Sequence, residues 1–135
     1  MDVAALKKEA KSKKTLAPRL LELVRNTDPA VQYAVAANPN TPLDALEYLS
    51  GHGKWTILKA VALNPNVSVT ILEKLATHKQ NTVCVAVVES KNAPTKLLEK
   101  LVKHPDKYVR RAITLNDNCT TLVFTLLSQD TDSSV

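Results

Sequence analysis

Apolar residues along this chain return at a fixed long step rather than in simple alternation. Leu46, Leu72, Leu98 and Phe124 stand 26 residues apart, and so do Leu49, Leu75, Leu101 and Leu127. Val31, Ile57, Val83 and Val109 keep the same step, as do Ala34, Ala60, Ala86 and Ala112. Polar positions obey it too: Glu47, Glu73 and Glu99; His52, His78 and His104; Asn40, Asn66, Asn92 and Asn118. Leu20 and Leu23 carry the core columns back one further step, and the last copy stops half-way. Self-similarity at a constant step of this size is the signature of stacked supersecondary units.

Within one copy the short-range spacing is helical. Ala45, Leu46 and Leu49 make one apolar face of a first segment, expected over Thr41–Ser50. Ile57, Ala60 and Val61 make another on a second segment, expected over Thr56–Leu63. Small Ala60 lets neighbouring helices approach, and the Asn64-Pro65 corner ends the segment. Pro42 and Pro94 are expected in a first helical turn, where the missing N–H does no harm. Helices this short are marginal alone and gain stability by stacking, each copy covering the apolar face of the next. The expected class is therefore an all-α solenoid of about four and a half 26-residue helical repeats over residues 20–130. Residues 1–19 are expected to form a basic N-terminal segment, either a helical cap or partly ordered, and residues 131–135 a disordered tail.

The run Leu75-Ala76 followed by Val83-x-x-Ala86-Val87, with Asn-Pro-Asn corners at Asn38-Pro39-Asn40 and Asn64-Pro65-Asn66, resembles the variant leucine-rich repeat. The resemblance is clearest from Val31 to Ala76 and extends from about Leu20 to Asp130. It implies a HEAT- and armadillo-like stack in which each repeat pairs an α-helix with a second, often 3₁₀, helix in a right-handed superhelix. The chain departs from that family in having His52, His78 and His104 where Asp is usual, and in keeping the family's Arg only at Arg110, with Gln32, Leu58 and Cys84 in the other copies. One iron–sulfur member of the family adds a cysteine cluster, which this chain lacks, so the resemblance implies no cofactor here.

Composition narrows the function classes. The chain has 135 residues, 44% hydrophobic and 23% charged, enough apolar surface for a core. Its two cysteines, Cys84 and Cys119, form neither a CxxC pair nor a zinc spacing, which fits a reducing, cytoplasmic setting. No apolar run suits a membrane helix or a signal peptide. The net charge of +5 comes from two basic stretches, residues 1–25 and 91–111, while residues 112–135 hold three acids and no Lys or Arg. One basic zone is Lys7, Lys8, Lys11, Lys13 and Lys14; the other runs from Lys91 to Arg111 and includes Lys103, Lys107 and Arg110. No Gly-rich phosphate loop, nucleophile elbow or Ser–His–Asp spacing is present, so no enzymatic activity is expected.

Candidate sites are then columns rather than pockets. The asparagines Asn40, Asn66, Asn92 and Asn118 are expected to cap helices or to occupy left-handed corners. The histidines are expected to bond free carbonyls at the end of each first helix, because equivalent positions on stacked helices are about 8–10 Å apart, too far to share a metal ion easily. Glu89 replaces Ala37, Leu63 and Leu115 and is expected to pair with Arg111 or Lys59. On the second helices, Tyr33, Leu58, Lys59, Cys84, Val85, Val88, Arg110 and Arg111 are expected to form an exposed face, apolar in the middle and cationic at its end, that receives a protein or peptide. The alternative is sequence-independent nucleic-acid binding through the two basic zones; Tyr33, Tyr48, Trp55 and Tyr108 do not form a stacking stripe along the chain. Leu122, Phe124, Leu126 and Leu127 leave an apolar C-terminal end suited to self-association.

Overall fold

The structure is a computed structural model that describes residues 2–52 and 54–116. Phe124, Leu127, Cys119, Asn118, the apolar C-terminal end and the 131–135 tail lie outside the described residues. Among the described residues all regular structure is helical, in nine helices with no strand. No helix there is long and apolar enough to cross a membrane.

The helices fall into two rows. Row B holds α1 (Val3–Lys11), α3 (Pro29–Ala37), α5 (Trp55–Leu63), α7 (Asn81–Glu89) and α9 (Lys107–Ile113), each starting 26 residues after the last. Row A holds α2 (Ala17–Leu23), α4 (Leu43–His52), α6 (Val69–Leu75) and α8 (Thr95–Leu101). Each B helix packs on the next B helix, and each A helix packs on the B helix that follows it. Leu20, Leu46, Leu72 and Leu98 are fully buried between the rows, as are Val31, Val83 and Val109. Ala34, Ala60 and Ala86 are buried in row B, where their small side chains permit close helix approach.

Within residues 1–19, α1 lies one step before α3 and packs on it as α3 packs on α5. Two sequence expectations are corrected. Pro42 and Pro94 precede their helices rather than entering the first turn. Pro94 is the N-cap of α8, and its carbonyl accepts from the N–H groups of Leu97 and Leu98 at 3.0 and 3.2 Å. Pro42 does the same for Ala45 and Leu46 of α4.

The second correction concerns the asparagines. No non-glycine residue among the described ones has a left-handed backbone, so the corners do not select Asn for that reason. Instead the amides bridge copies. Asn66 Nδ2 donates to the carbonyls of Pro39 and Thr41 at 2.8 and 2.9 Å, and Asn92 Nδ2 to those of Pro65 and Val67 at 2.9 and 3.0 Å. Asn40 reaches Lys13 and Thr15 in the same way. A second, buried ladder runs beside it. Asn38 Nδ2 donates to Ala10 and Ser12, Asn64 Nδ2 to Ala36 and Asn38, and Asn116 Nδ2 to Val88. The Oδ1 atoms of Asn38 and Asn64 accept from the N–H two residues on, at 2.9 and 2.8 Å. One amide thus closes its own turn and ties that turn to the previous copy, satisfying carbonyls that burial would otherwise strand.

Candidate interaction surface

Row B presents its outward side through four positions per helix, spaced i, i+1, i+4 and i+8, which fall within one helical face. On α3 these are Pro29, Ala30, Tyr33 and Ala37; on α5 they are Trp55, Thr56, Lys59 and Leu63. On α7 they are Asn81, Thr82, Val85 and Glu89; on α9 they are Lys107, Tyr108 and Arg111, with Leu115 two residues past its end. α1 contributes Val3, Ala4, Lys7 and Lys11. Tyr33 is 48% exposed, Trp55 43% and Tyr108 60%, so three aromatic side chains that the linear sequence scatters share one surface. Leu63 and Leu115 are exposed on it as well. Among the described residues this face holds five cations, Lys7, Lys11, Lys59, Lys107 and Arg111, and one acid, Glu89. The outward positions of row A carry Glu22, Asp44, Glu47, Glu73 and Glu99 together with Arg25, Lys74, Lys96, Lys100 and Lys103, which balance. Row A's Tyr48 is occupied, its ring stacked on His52 with centroids 4.4 Å apart.

The expected partner-binding set divides along this geometry. Tyr33, Lys59, Val85 and Arg111 occupy one column and are exposed or half-buried. Leu58, Cys84 and Val88 belong to the core instead, at 4%, 0% and 0% exposure, so they cannot anchor a partner. They face neighbouring turns because their columns lie on the side of the B helix turned toward row A and the adjacent copy. The Cys84 thiol donates to the Ala76 carbonyl at 3.3 Å, and burial, then the Asp106 carboxylate, push its pKa up. Arg110 is half-buried, and its guanidinium donates to the carbonyls of His104 and Pro105 at 2.7 and 3.0 Å, closing the end of the preceding segment.

The basic zones also split. Lys103 follows α8 on the row A side, while Lys107 and Arg111 lie on row B. Lys7 and Lys11 lie on the row B face, Lys8 is exposed beside them, and Lys13 and Lys14 sit in the corner after α1. The C-terminal zone is thus divided between the two rows. Glu89 is exposed at the end of α7, so it does not face the burial that would demand the ion pair expected for it.

The histidine column does two things. His52 Nδ1 lies 2.8 Å from the Tyr48 carbonyl oxygen, the bond expected at a helix end. His78 and His104 act in the opposite direction: each Nδ1 accepts, from the N–H of Gln80 and of Asp106, both at 3.0 Å. Asn26, one step earlier in this column, accepts from Asp28 N–H at 2.8 Å in the same way. At Asn26, His78 and His104 the column therefore shapes the link into α3, α7 and α9. Among the described residues no three His, Cys, Asp or Glu side chains gather where they could hold a metal ion.

Compared with known proteins, the chain matches no protein family, no curated protein and no solved structure.

Proposed function

We propose that this chain is a non-catalytic binding or scaffolding module that recognises another protein or peptide through the outward face of row B. The observation that carries the reading is the contrast between the two rows: row B gathers Tyr33, Trp55 and Tyr108 with five cations and one acid, whereas row A is charge-balanced. Exposed aromatic and arginine side chains are the groups that carry most binding energy in protein interfaces. Exposed Leu63 and Leu115 and half-buried Val85 add aliphatic surface, which suits a peptide better than a phosphate backbone.

The architecture proposed to present this face is a right-handed α-solenoid of about four and a half 26-residue repeats, similar to variant leucine-rich repeats and working in the cytoplasm. The constant helix step, the B-on-B packing and the asparagine ladders support it. B helices meet each other closely while A helices meet more sparsely, which supports a curved stack with row B on the inner side.

Capture from an extract of the source cells tests this reading. Chain carrying Tyr33→Glu with Trp55→Glu should lose its protein partner. Chain carrying Glu47→Lys with Glu73→Lys should keep it, and nuclease treatment should leave capture intact. Loss through the row A pair alone, or through nuclease alone, would overturn the reading.

A further inference from the structure

The column Lys7, Tyr33, Lys59, Val85 and Arg111 alternates in chemistry from one B helix to the next: cation, aromatic, cation, aliphatic, cation. All five side chains are exposed or half-buried. The alternation extends to the whole face, because the outward positions of α3 and α7 hold no cation at all. We propose that this column reads an extended peptide segment in which acidic and apolar side chains alternate about every three residues. The spacing follows from two lengths. Packed helices are about 8–10 Å apart, and an extended chain of the polyproline II kind rises about 3.1 Å per residue with three residues per turn, so every third side chain points the same way. One B helix therefore meets about three residues of such a partner. A carboxylate opposite Lys7 would place an apolar side chain opposite Tyr33, the next carboxylate opposite Lys59, and so on to Arg111.

Net positive charge alone would also suit a nucleic acid, but a uniformly charged backbone has no use for two cation-free helices between cationic ones. A helical partner rises only about 1.5 Å per residue, so it would need its acidic positions about twice as far apart in sequence. The shallow groove between α6 and α8, lined by Ala76, Leu97, Lys100, Leu101 and His104, offers no comparable selection, since Glu73 and Glu99 beside it balance its lysines.

This inference rests on the row B reading, and the test separates the two. The probe is a fluorescein-labelled synthetic peptide of about 15 residues, with Glu and Leu alternating at every third position and Ser between them. The controls are a peptide of the same composition with its Glu grouped and its Leu grouped, and a single-stranded oligo-dT. Binding is followed by anisotropy of the label and, with unlabelled probe, by emission of Trp55, the chain's one tryptophan. The patterned peptide should bind at least about tenfold more tightly than the grouped one. Lys59→Glu and Tyr33→Ser should each remove that preference, while Glu47→Lys leaves it unchanged. Equal binding of the two peptides, or no binding of the patterned one, overturns the register. If both peptides bind equally and both are lost in Tyr33→Ser, only the register falls and the row B reading stands. Tighter binding of oligo-dT than of the patterned peptide, lost in Lys59→Glu, would make the face a polyanion site and overturn both.

Discussion

Glu9 and Arg19 are joined by a hydrogen-bonded ion pair, with Arg19 Nε 2.6 Å and Nη2 3.1 Å from the two carboxylate oxygens. Glu9 stands in the column that Val35, Val61, Val87 and Ile113 fill further along, and Arg19 in the column of Ala45, Ile71 and Leu97. At the first helix pair an apolar core position is thus replaced on both sides by complementary charge, and Glu22 accepts a further bond from Arg19 at 2.8 Å. Both side chains stay partly in solvent, 37% for Arg19 and 32% for Glu9, so the charges remain hydrated where later copies place dry apolar side chains. Replacing Glu9 with Val and Arg19 with Leu should leave the helix content intact but expose apolar surface between α1 and α2. Sedimentation velocity should then show stronger concentration-dependent association than the original chain.

The same pair gives α1 a pH dependence. The hydrogen bond from Arg19 holds the Glu9 carboxyl below its ordinary pKa. A depressed folded-state pKa contributes stability above the ordinary carboxylate range of about 4.3, and that contribution is lost as pH falls through the lower folded value. Amide protection factors of α1 should therefore drop on acidification more than those of α5. In Glu9→Gln the two helices should respond alike.

The inner asparagine ladder is incomplete at Ser90, which occupies the column of Asn38, Asn64 and Asn116. Its Oγ accepts from Asn92 N–H at 3.2 Å, but a hydroxyl is too short to span to the previous copy as Asn64 does. Ser90→Asn should raise stability by about 1–2 kcal/mol, read as a higher Tm. Asn64→Ala removes two donors and leaves buried carbonyls unsatisfied, and should cost about 2–4 kcal/mol. Equal and small effects from both changes would show that the ladder contributes little.

Leu72 is fully buried between the rows, so Leu72→Ala should cost about 2–5 kcal/mol in denaturant unfolding.

Leu58 and Tyr33 distinguish core from surface on the same row. Leu58→Asp buries an unpaired charge and should unfold the chain or lower its Tm drastically. Tyr33→Asp, at a side chain 48% exposed, should change stability by no more than about 0.5 kcal/mol while weakening partner binding.

Periodicity alone determined the all-helical class, the 26-residue step and the buried leucines at 46, 72 and 98, because burial of one apolar stripe per helix leaves its period in the chain. It also marked the asparagine and histidine columns as structural. What those columns do was decided only in three dimensions. An asparagine that caps its own helix and one that bonds the previous copy have the same sequence pattern, and only contacts such as the 2.8 Å bond from Asn66 to the Pro39 carbonyl tell them apart. The exposed face was half legible. Tyr33, Lys59, Val85 and Arg111 stood in the expected set, but so did Leu58, Cys84 and Val88, which the neighbouring helices cover. A period of 26 fixes which residues are equivalent, not which side of a helix the next copy will bury. That depends on how closely the B helices pack and on where row A crosses them. The same packing brought Tyr33, Trp55 and Tyr108 onto one surface, though three different positions of the repeat carry them.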